Sequence, residues 1–557
     1  MLLDISILPQ TSEELFYFVT KRIPYLCGFW RFANAYTLAV VKGAVLAAEK
    51  KLKIVKKMNA LAALFRRFSA QKKHFNEEME GKYSPSFIAL IAAFGAAILM
   101  ILMLFVPNYL GVGDDGSFYR LMEAAGLSYV SDTVLEESSE FFNRVYLIDT
   151  SKYVLGTEML NSQVLIVKAA VKLDRLLTGD NYFDIRMLAL IYGILYIPAI
   201  YLLIRQACMR VKCFSEGIVI GLLGVLIFSD VAYITYFNSL YPESVWFISL
   251  LYCVAGAVSF QEKRSLLKEG GSLFLIAGSG IVLMTSRAQC AFIGIILALY
   301  CLKLLFTRKE WSFSVVCVLT SLGLSIISIA AMAGMESDFN QTDKFHAMSR
   351  GVLFGSNDPA ETLKEFGIEP SFELLADVSA YDPIPLVKVE EEIISDNFLN
   401  KYSVSDIGRY YIRHPEKFLR MIDISIKSCF GIRRDQCGNY EKSVGLPKGA
   451  RSPFWSLFST FKNSVAPKTI GWLIVLIIAA CLLFGKEYSL RPLEDKRSTV
   501  LLDSIAVLLL VCISQAGVTI VNSGDAAMIR HCFLVSTSMD IMTYFVFAQI
   551  AHRLNIF

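Results

Sequence analysis

Long runs of apolar residues alternate with short polar loops along most of the chain. A helix needs about 20 residues to cross the ~30 Å of hydrocarbon in a bilayer, and ten runs are close to that length. They lie at about 85–107, 186–205, 216–234, 244–260, 271–285, 289–306, 312–334, 469–485, 499–519 and 531–551. This pattern predicts an all-α, polytopic membrane protein with about ten transmembrane helices.

The charges of the loops orient these predicted spans, because lysine and arginine in short loops stay on the cytoplasmic side. Alternate loops, at 206–215, 261–270, 307–311 and 486–498, carry two or more such charges each, whereas the short turns between the other spans carry one at most. The layout predicts a multi-pass protein of the cell membrane, with both the N-terminus and the C-terminus in the cytoplasm.

The composition agrees with a membrane location. Hydrophobic residues make up 55% of the 557 residues and charged residues 19%, whereas soluble domains have about 45–50% and about 25%. Within 1–84, fourteen lysines and arginines stand against seven acidic residues. We predict that this basic segment is amphipathic and lies on the anionic cytoplasmic leaflet, with an eleventh span at 23–48 as the alternative. A basic segment beside a membrane does not by itself suggest nucleic acid.

Two long segments face the outside in this layout. The first, at 108–185, follows the first span, and the second, at 335–468, separates the seven spans of 85–334 from the three of 469–557. Loops of this length usually carry function. The second segment contains an amphipathic stretch at 405–427, which we expect to form a helix on the outer membrane surface.

Two adjacent carboxylates follow the first span. Asp114 and Asp115 lie between Gly113 and Gly116, so that a substrate could approach them closely. A carboxylate at this boundary can act as a general base that takes a proton from an acceptor hydroxyl. The pair could instead hold a divalent cation, or form only a solvated turn.

The next two outer turns carry polar residues at the membrane boundary. Asn238, Tyr241 and Glu243 lie between the third and fourth spans, and an acidic group at the start of a span is costly and usually functional. Arg287 and Gln289 lie in the following outer turn, where an arginine could bind a phosphate. The alternatives are an aromatic belt with a helix-terminal glutamate, and an arginine that faces lipid headgroups.

The last outer turn and the large outer segment add two further polar clusters. Asp525, Arg530 and His531 precede the tenth span, and a short polar motif occupies 438–442. We consider the three residues of the turn candidates for substrate binding.

The twelve cysteines indicate little chemistry. Most of them lie in apolar runs, where cysteine behaves as a small buried hydrophobe. No cysteine or histidine spacing suggests zinc. Cys429 and Cys437 lie in the large outer segment, where a disulfide is permitted but not required.

Five short motifs in the predicted outer loops form a set. They are DDGSFYRLM, YFNSLYPES, SRAQ, RHPEKFL and GNYEKSVG, which begin at Asp114, Tyr236, Ser286, Arg413 and Gly438. Together with the span count, they resemble the GT-C superfamily of integral membrane glycosyltransferases, which use polyprenyl-phosphate sugars. The likeness is to bacterial cell-surface glycan hexose transferases of that type, and it runs from about residue 85 to the C-terminus.

The resemblance implies a hexosyltransferase that moves sugar from a polyprenyl-phosphate donor in the bilayer to a glycan or lipid acceptor at the outer face. Nucleotide sugars are cytoplasmic, so an outward site needs a donor that arrives through the bilayer. The resemblance implies no cofactor, with a divalent cation left open. Either Asp115 or Asp114 would be the base.

The resemblance also implies roles for four other residues. Arg120, Arg287 and Arg530 would bind the departing lipid phosphate, whose negative charge grows in the transition state. Glu243 would orient the acceptor or a cation. The alternatives are a transporter or flippase for lipid-linked glycans, a polymerase, or a membrane protein without enzymatic activity. Transporters often show repeated halves, and this sequence has none that we detect.

Overall fold

The computed structural model describes residues 84–149, 161–211, 213–261, 264–334, 340–380, 388–490, 499–526 and 528–553. The predicted basic segment, except Ser84, and the alternative span at 23–48 lie outside these described residues. The predicted boundaries of the four segments of the chain therefore stay predictions.

Helices dominate the described residues, as the long apolar runs predict. The helices up to residue 334 are α1 (Pro85–Leu104), α2 (Tyr119–Ala125), α3 (Asp132–Glu136), α4 (Ser162–Thr178), α5 (Arg186–Ala207), α6 (Phe214–Phe228), α7 (Val231–Ile234), α8 (Glu243–Val258), α9 (Leu266–Ser286), α10 (Ala291–Lys303) and α11 (Trp311–Met332). The later helices are α12 (Gln341–His346), α13 (Pro359–Glu365), α14 (Glu392–Asn397), α15 (Val404–Arg413), α16 (Pro415–Ser428), α17 (Leu457–Ser464), α18 (Ile470–Leu490), α19 (Val500–Ser523), α20 (Met528–His531) and α21 (Phe533–Arg553).

Eight of the described helices, some extended by a flanking turn, are long and apolar enough to cross a membrane. They are α1, α5, α8, α9, α10, α11, α19 and α21. Each corresponds to a predicted span, so the prediction of an all-α polytopic membrane protein is confirmed.

Two predicted spans differ from a straight transmembrane helix. The third consists of α6 and of α7 with the helical turn that follows it (Val231–Asn238), and these two parts are bent by 48° relative to each other. The bend occurs at Asp230, whose carboxylate accepts a hydrogen bond from the N–H of Ala232 at 2.9 Å and so caps α7. The eighth is α18, whose apolar part, Ile470–Gly485, is shorter than the other spans. The described residues therefore hold eight spans, or nine if the bent pair counts as one.

The helix α8 lies at the centre of the bundle. In its most apolar window 94% of the residues are buried, against 22% for α11. It packs against α5, α9 and α21, and its Phe247 stacks on Tyr233 with ring centroids 4.5 Å apart. Because α8 is held from several sides, its first residue, Glu243, has a fixed position at one end of the bundle.

The two long segments also contain short strands. The strand β1 (Leu110–Val112) pairs with β5 (Cys437–Tyr440) in antiparallel fashion. The strands β2 (Leu127–Ser128), β3 (Val145–Ile148) and β4 (Tyr182–Asp184) form a separate antiparallel sheet with β3 in the middle. The first sheet matters most, because it joins the loop after α1 to the large segment before α18.

The predicted helix at 405–427 is broken into two. The helix α15 ends at Arg413 and α16 begins at Pro415, because the residue before a proline disfavours the helical conformation. Both helices pack against α19, while the apolar side chains of Ile412 and Leu419 are exposed. Contact of these side chains with the outer membrane surface stays a prediction.

The permitted disulfide between Cys429 and Cys437 is not formed, since both thiols are free. Cys429 follows α16 and its thiol donates to the carbonyl oxygen of Ser425 at 3.1 Å. Cys437 begins β5, where its backbone is opposite Val112. The two residues thus belong to different packing environments.

Candidate active site

The pairing of β1 with β5 brings together two motifs that are far apart in the sequence. Leu110 lies opposite Tyr440, and the N–H of Gly113 donates to the carbonyl oxygen of Gln436 at 3.2 Å. The acidic turn, residues 113–117, therefore lies directly beside the segment that precedes β5. This junction is at the end of the bundle where α8 begins.

Asp114 holds the acidic turn in its shape. It is 4% exposed, and one carboxylate oxygen accepts from the N–H groups of Gly116 at 2.9 Å and Phe118 at 3.1 Å. The other oxygen accepts from the hydroxyl of Tyr129 at 2.6 Å. Burial raises the pKa of Asp114, and these hydrogen bonds only partly offset that effect. Gly116 has a φ of +91°, a conformation that favours glycine.

Asp115 points towards two arginines. Its carboxylate forms ion pairs with Arg434 at 2.6 Å and with Arg530 at 3.2 Å, and the hydroxyl of Ser117 donates to it at 2.6 Å. Burial raises the pKa of Asp115, but the positive charges of Arg530 and Arg434 outweigh it and hold the pKa below its ordinary value. Asp115 is therefore ionised at neutral pH, and its negative charge is balanced by the two arginines.

The aromatic ring of Tyr241 lies beneath the guanidinium groups of both arginines. Its hydroxyl accepts from the N–H of Asp115 at 2.9 Å and donates to the carbonyl oxygen of Gly113 at 3.2 Å. The guanidinium of Arg434 lies 4.8 Å from the centre of its ring, and that of Arg530 lies 5.3 Å away. Cations at such distances are attracted to the face of an aromatic ring, so Tyr241 fixes both arginines and the acidic turn at once.

Sequence analysis did not single out Arg434, although it is the most buried arginine of this cluster. Its side chain is 9% exposed, against 15% for Arg530. Its Nη1 atom is buried and has no hydrogen-bond partner among the residues that the structure describes. The only signal in the sequence was its position just before the polar motif at 438–442. The pairing of β1 with β5 was needed to show that this position lies beside the acidic turn.

Glu243 is the first residue of α8 and lies within reach of the charges of the same arginines. It is 1% exposed, and neither of its carboxylate oxygens has a hydrogen-bond partner in the described part of the chain. The positive charges of Arg530, Arg434 and Arg287 all act on it. The same two arginines that bind Asp115 thus also face a second, uncontacted carboxylate.

Arg287 follows α9 at a position that two other elements fix. The hydroxyl of the preceding residue, Ser286, accepts from the indole N–H of Trp246 at 2.9 Å. The backbone carbonyl of Ser286 accepts from the side-chain amide of Asn161 at 2.7 Å. The end of α9 is therefore tied to α8 and to the start of α4, and the charge of Arg287 acts on Glu243 and Asp343.

The large outer segment contributes a third carboxylate, Asp343 in α12, which sequence analysis did not single out. Burial raises its pKa, and the positive charges of Arg287, Arg530 and Arg120 partly offset that rise. The side-chain amide of Asn340 also donates to it at 2.8 Å. The three arginines that sequence analysis proposed for phosphate binding therefore all lie close enough to Asp343 to act on it.

Comparison with known proteins gives the family of the chain. A family model described as the YfdI N-terminal transmembrane domain matches residues 70–557. The chain belongs to this family. A search of curated proteins finds no match. Together with the apolar helices, membership in a transmembrane-domain family establishes a multi-pass membrane protein.

Among solved structures, this YfdI-family chain is similar to the oligosaccharyltransferase AglB from Archaeoglobus fulgidus, in complex with an inhibitory peptide and a dolichol-phosphate. The identity is 12%, the similarity covers 84% of this chain and 51% of the AglB chain, and the TM-score is 0.33. The chain thus spans about half the length of AglB. A likeness this distant does not identify an activity.

Two of the predicted binding residues of this YfdI-family chain serve other contacts. The side-chain amide of Asn238 donates to the carbonyl oxygens of Leu104 at 3.3 Å and Leu110 at 2.9 Å, which fixes the exit of the chain from α1. Asp525 accepts two hydrogen bonds from Arg350, both of 2.7 Å. The structure does not place either side chain in contact with the arginine pair.

Gln289 and His531 directly follow or nearly follow the arginines of their turns in the sequence, and neither adds a charge to the cluster. The backbone carbonyl of Gln289 accepts from the side-chain amide of Gln515 at 3.2 Å, which ties its turn to α19. His531 follows Arg530 directly, and burial together with the charge of Arg530 lowers its pKa to about 3. Its imidazole is therefore neutral at physiological pH and adds no further positive charge.

The geometry of the acidic turn does not favour a cation between its two carboxylates. Protein donors occupy Asp114, and Asp115 faces two arginines, whose charge would repel a metal ion. Within the described ranges, no group of three or more histidine, cysteine or acidic side chains could hold a metal ion. The dependence of the protein on a divalent cation is a separate question that stays a prediction.

Proposed function

We propose that this protein is a membrane glycosyltransferase of the GT-C type. It moves a hexose from a polyprenyl-phosphate donor to a hydroxyl group of a cell-surface glycan or glycolipid. The observation that carries the proposal is the pair of arginines, Arg434 and Arg530, held over one tyrosine ring at the end of a membrane helix bundle. Two carboxylates face the same pair.

The arginine pair suits a phosphate diester that lies at the membrane boundary. Guanidinium groups bind phosphate oxygens through charge-assisted hydrogen bonds, and the buried Nη1 of Arg434 has no partner among the described residues. When the bond from sugar to phosphate breaks, negative charge grows on the leaving phosphate, and fixed arginines stabilise that charge. We assign the donor phosphate to Arg434 and Arg530, with Arg287 and Arg120 at its approach.

Of the two predicted bases, we assign the site role to Asp115 and a structural role to Asp114. A carboxylate that is bound by two arginines is a weak base, because its pKa is low. In this proposal Asp115 neutralises Arg434 and Arg530 until the donor phosphate displaces it. The arginines are thereby positioned before the substrate arrives.

The sidedness of the site is part of the proposal. The lysine and arginine pattern of the loops predicts that the N-terminus is cytoplasmic and that the site faces outward. A lipid-linked donor fits an outward site, since its sugar reaches that side with the lipid. A transporter, flippase or polymerase of lipid-linked glycans would use the same lipid and is distinguished by experiment.

The test uses the full-length protein in lipid nanodiscs with radiolabelled polyprenyl-phosphate glucose, galactose and mannose, and alkyl glycosides as acceptors. We expect one donor to give a labelled glycoside, and we expect Arg434→Ala to slow its formation by about 100-fold or more, as for other groups that stabilise transition-state charge. Arg409→Ala, on the exposed face of α15, is the control and should keep the wild-type rate. Transfer from no donor, with lipid movement across vesicles, would favour a flippase instead.

A further inference from the structure

The carboxylate of Glu243 is buried without hydrogen-bond partners at the first turn of a central helix. Its residue is 1% exposed, and both carboxylate oxygens lack a partner in the part of the chain that the structure describes. A buried polar group is normally hydrogen-bonded, and an exception calls for an explanation such as a ligand or a catalytic role. Structure alone does not require an acid here, because an apolar residue would fill the same place at lower cost.

The described side chains around Glu243 supply charge but no hydrogen-bond donor in contact with its carboxylate. The positive charges of Arg530, Arg434 and Arg287 act on its carboxylate, and none of them forms an ion pair with it among the described contacts. A group that binds the Glu243 carboxylate must therefore offer hydrogen-bond donors and carry no negative charge of its own at that point. A sugar hydroxyl has both properties.

Asp115 and Glu243 differ in the way a counter-ion and a base differ. Asp115 is in direct contact with Arg434 and Arg530, so it competes with the donor phosphate for them. Glu243 faces the same arginines without contacting them, so its carboxylate is not held in an ion pair among the described residues. When the transfer inverts the configuration of the anomeric carbon, the acceptor attacks from the face of the sugar opposite the leaving phosphate. The base must therefore contact the acceptor hydroxyl on that opposite face.

From these observations we infer that Glu243 is the catalytic base that binds the hydroxyl group of the acceptor and takes its proton. This inference rests on the proposed function. The acceptor oxygen forms a bond to the anomeric carbon of the donor sugar as its proton passes to the Glu243 carboxylate. The bond between that carbon and the phosphate oxygen breaks, and its electron pair leaves with the polyprenyl phosphate.

Azide tests this role, because it is a nucleophile that has no proton to lose. With polyprenyl-phosphate hexose and an alkyl glycoside, Glu243→Gln should transfer sugar about 100-fold to 10,000-fold more slowly than wild type, the usual contribution of a general base. With sodium azide as the acceptor, both proteins should form glycosyl azide at rates within about threefold, measured by mass spectrometry. Equal loss of both reactions would overturn the base assignment, and so would an unchanged rate with the glycoside.

A matched control separates this role from a structural one. Glu269 is also a glutamate of 1% exposure in the first turn of a span, but it forms an ion pair with Arg308 at 2.8 Å. Glu269→Gln should lower the melting temperature and keep the transfer rate per folded protein. Glu243→Gln should keep the melting temperature and lose transfer, because no contact is broken.

Failure of the base assignment and failure of the proposed function give different results. If the wild-type protein transfers sugar neither to glycosides nor to azide, the proposed function fails. If the wild type transfers sugar and Glu243→Gln has a lower melting temperature with both acceptors equally impaired, Glu243 is structural and only the base assignment fails. Should Glu243→Asp restore part of the glycoside reaction, a carboxylate at this position is required for its chemistry.

Discussion

Arg434 donates a hydrogen bond to Asp115 at 2.6 Å, across 319 positions of the sequence. The contact joins the loop after the first span to the large segment before α18, and the pairing of β1 with β5 supports it. Asp115 belongs to the acidic motif that the sequence predicted, whereas Arg434 was identified only from the structure. Their ion pair lies at the centre of the candidate site. Its contribution to the free energy of unfolding can be measured directly.

A double-mutant cycle on this pair should show strong coupling. Asp115→Asn leaves two arginines without their counter-ion, and Arg434→Met leaves Asp115 with only Arg530. We expect a coupling free energy of unfolding of about 1–3 kcal/mol, since Arg434 is buried and its guanidinium is in direct contact with the Asp115 carboxylate. Chemical denaturation of the four proteins in detergent measures it.

The exposed pair of Asp435 and Arg451, 3.2 Å apart, serves as the control for this cycle. Its coupling should not be measurable, because solvent screens exposed ion pairs. Equal coupling in the two cycles would show that the pair of Asp115 and Arg434 is an ordinary surface contact.

The two adjacent aspartates should respond differently to the same substitution. Asp114→Asn places an amide against the hydroxyl of Tyr129, and we expect a loss of about 1–3 kcal/mol in the free energy of unfolding. Transfer per folded protein should remain, because Asp114 does not face the arginines. Asp115→Asn should instead raise the apparent affinity for the donor, because Asp115 competes with the donor phosphate for Arg434 and Arg530. A raised donor affinity in Asp114→Asn, with normal stability, would reverse the two assignments.

The stabilising effect of Asp115 should depend on pH in the acidic range. The arginines hold its pKa below the ordinary value in the folded protein, so the unfolded state binds a proton more readily and ionised Asp115 favours folding. The difference in stability between wild type and Asp115→Asn should be complete above about pH 5, and shrink as the pH falls below about 4. A difference that grows on acidification would contradict the ion-pair assignment.

Asp525 should prove structural rather than substrate-binding. It holds Arg350 through two hydrogen bonds of 2.7 Å, and the N–H of Asp525 donates to the carbonyl oxygen of Arg350. Asp525→Asn should lower the free energy of unfolding by about 1–3 kcal/mol, the cost of losing a charged hydrogen-bond partner. The KM for the donor should stay within about twofold, whereas a donor KM raised tenfold in a stable variant would place Asp525 in the site.

Hydropathy was sufficient to locate the membrane helices, because each span must satisfy its own backbone and present apolar side chains to lipid. The bend between α6 and α7 was not predictable in the same way, since Ser229 and Asp230 interrupt the run by only two residues. Hydropathy also could not tell that α8 is central and α11 peripheral, because both are apolar all round.

The candidate site was only partly predictable. Sequence alone offered Asp115, Tyr241, Glu243 and Arg530 in three separate clusters, and the fold brings them together. The choice between Asp114 and Asp115 required the hydrogen bonds of the turn. Arg434 required the pairing of β1 with β5, two short strands more than 300 residues apart, which no local pattern can indicate.

The most direct test of the account is the binding of polyprenyl phosphate, the product that every hexose donor shares. Native mass spectrometry of the full-length protein in nanodiscs can compare wild type, Arg434→Lys and Arg434→Ala. We predict that Arg434→Ala weakens binding by at least about tenfold, as expected for the loss of a charge-assisted hydrogen bond, with Arg434→Lys between the two. Equal affinity of wild type and Arg434→Ala would contradict the claim that this arginine pair holds the lipid phosphate.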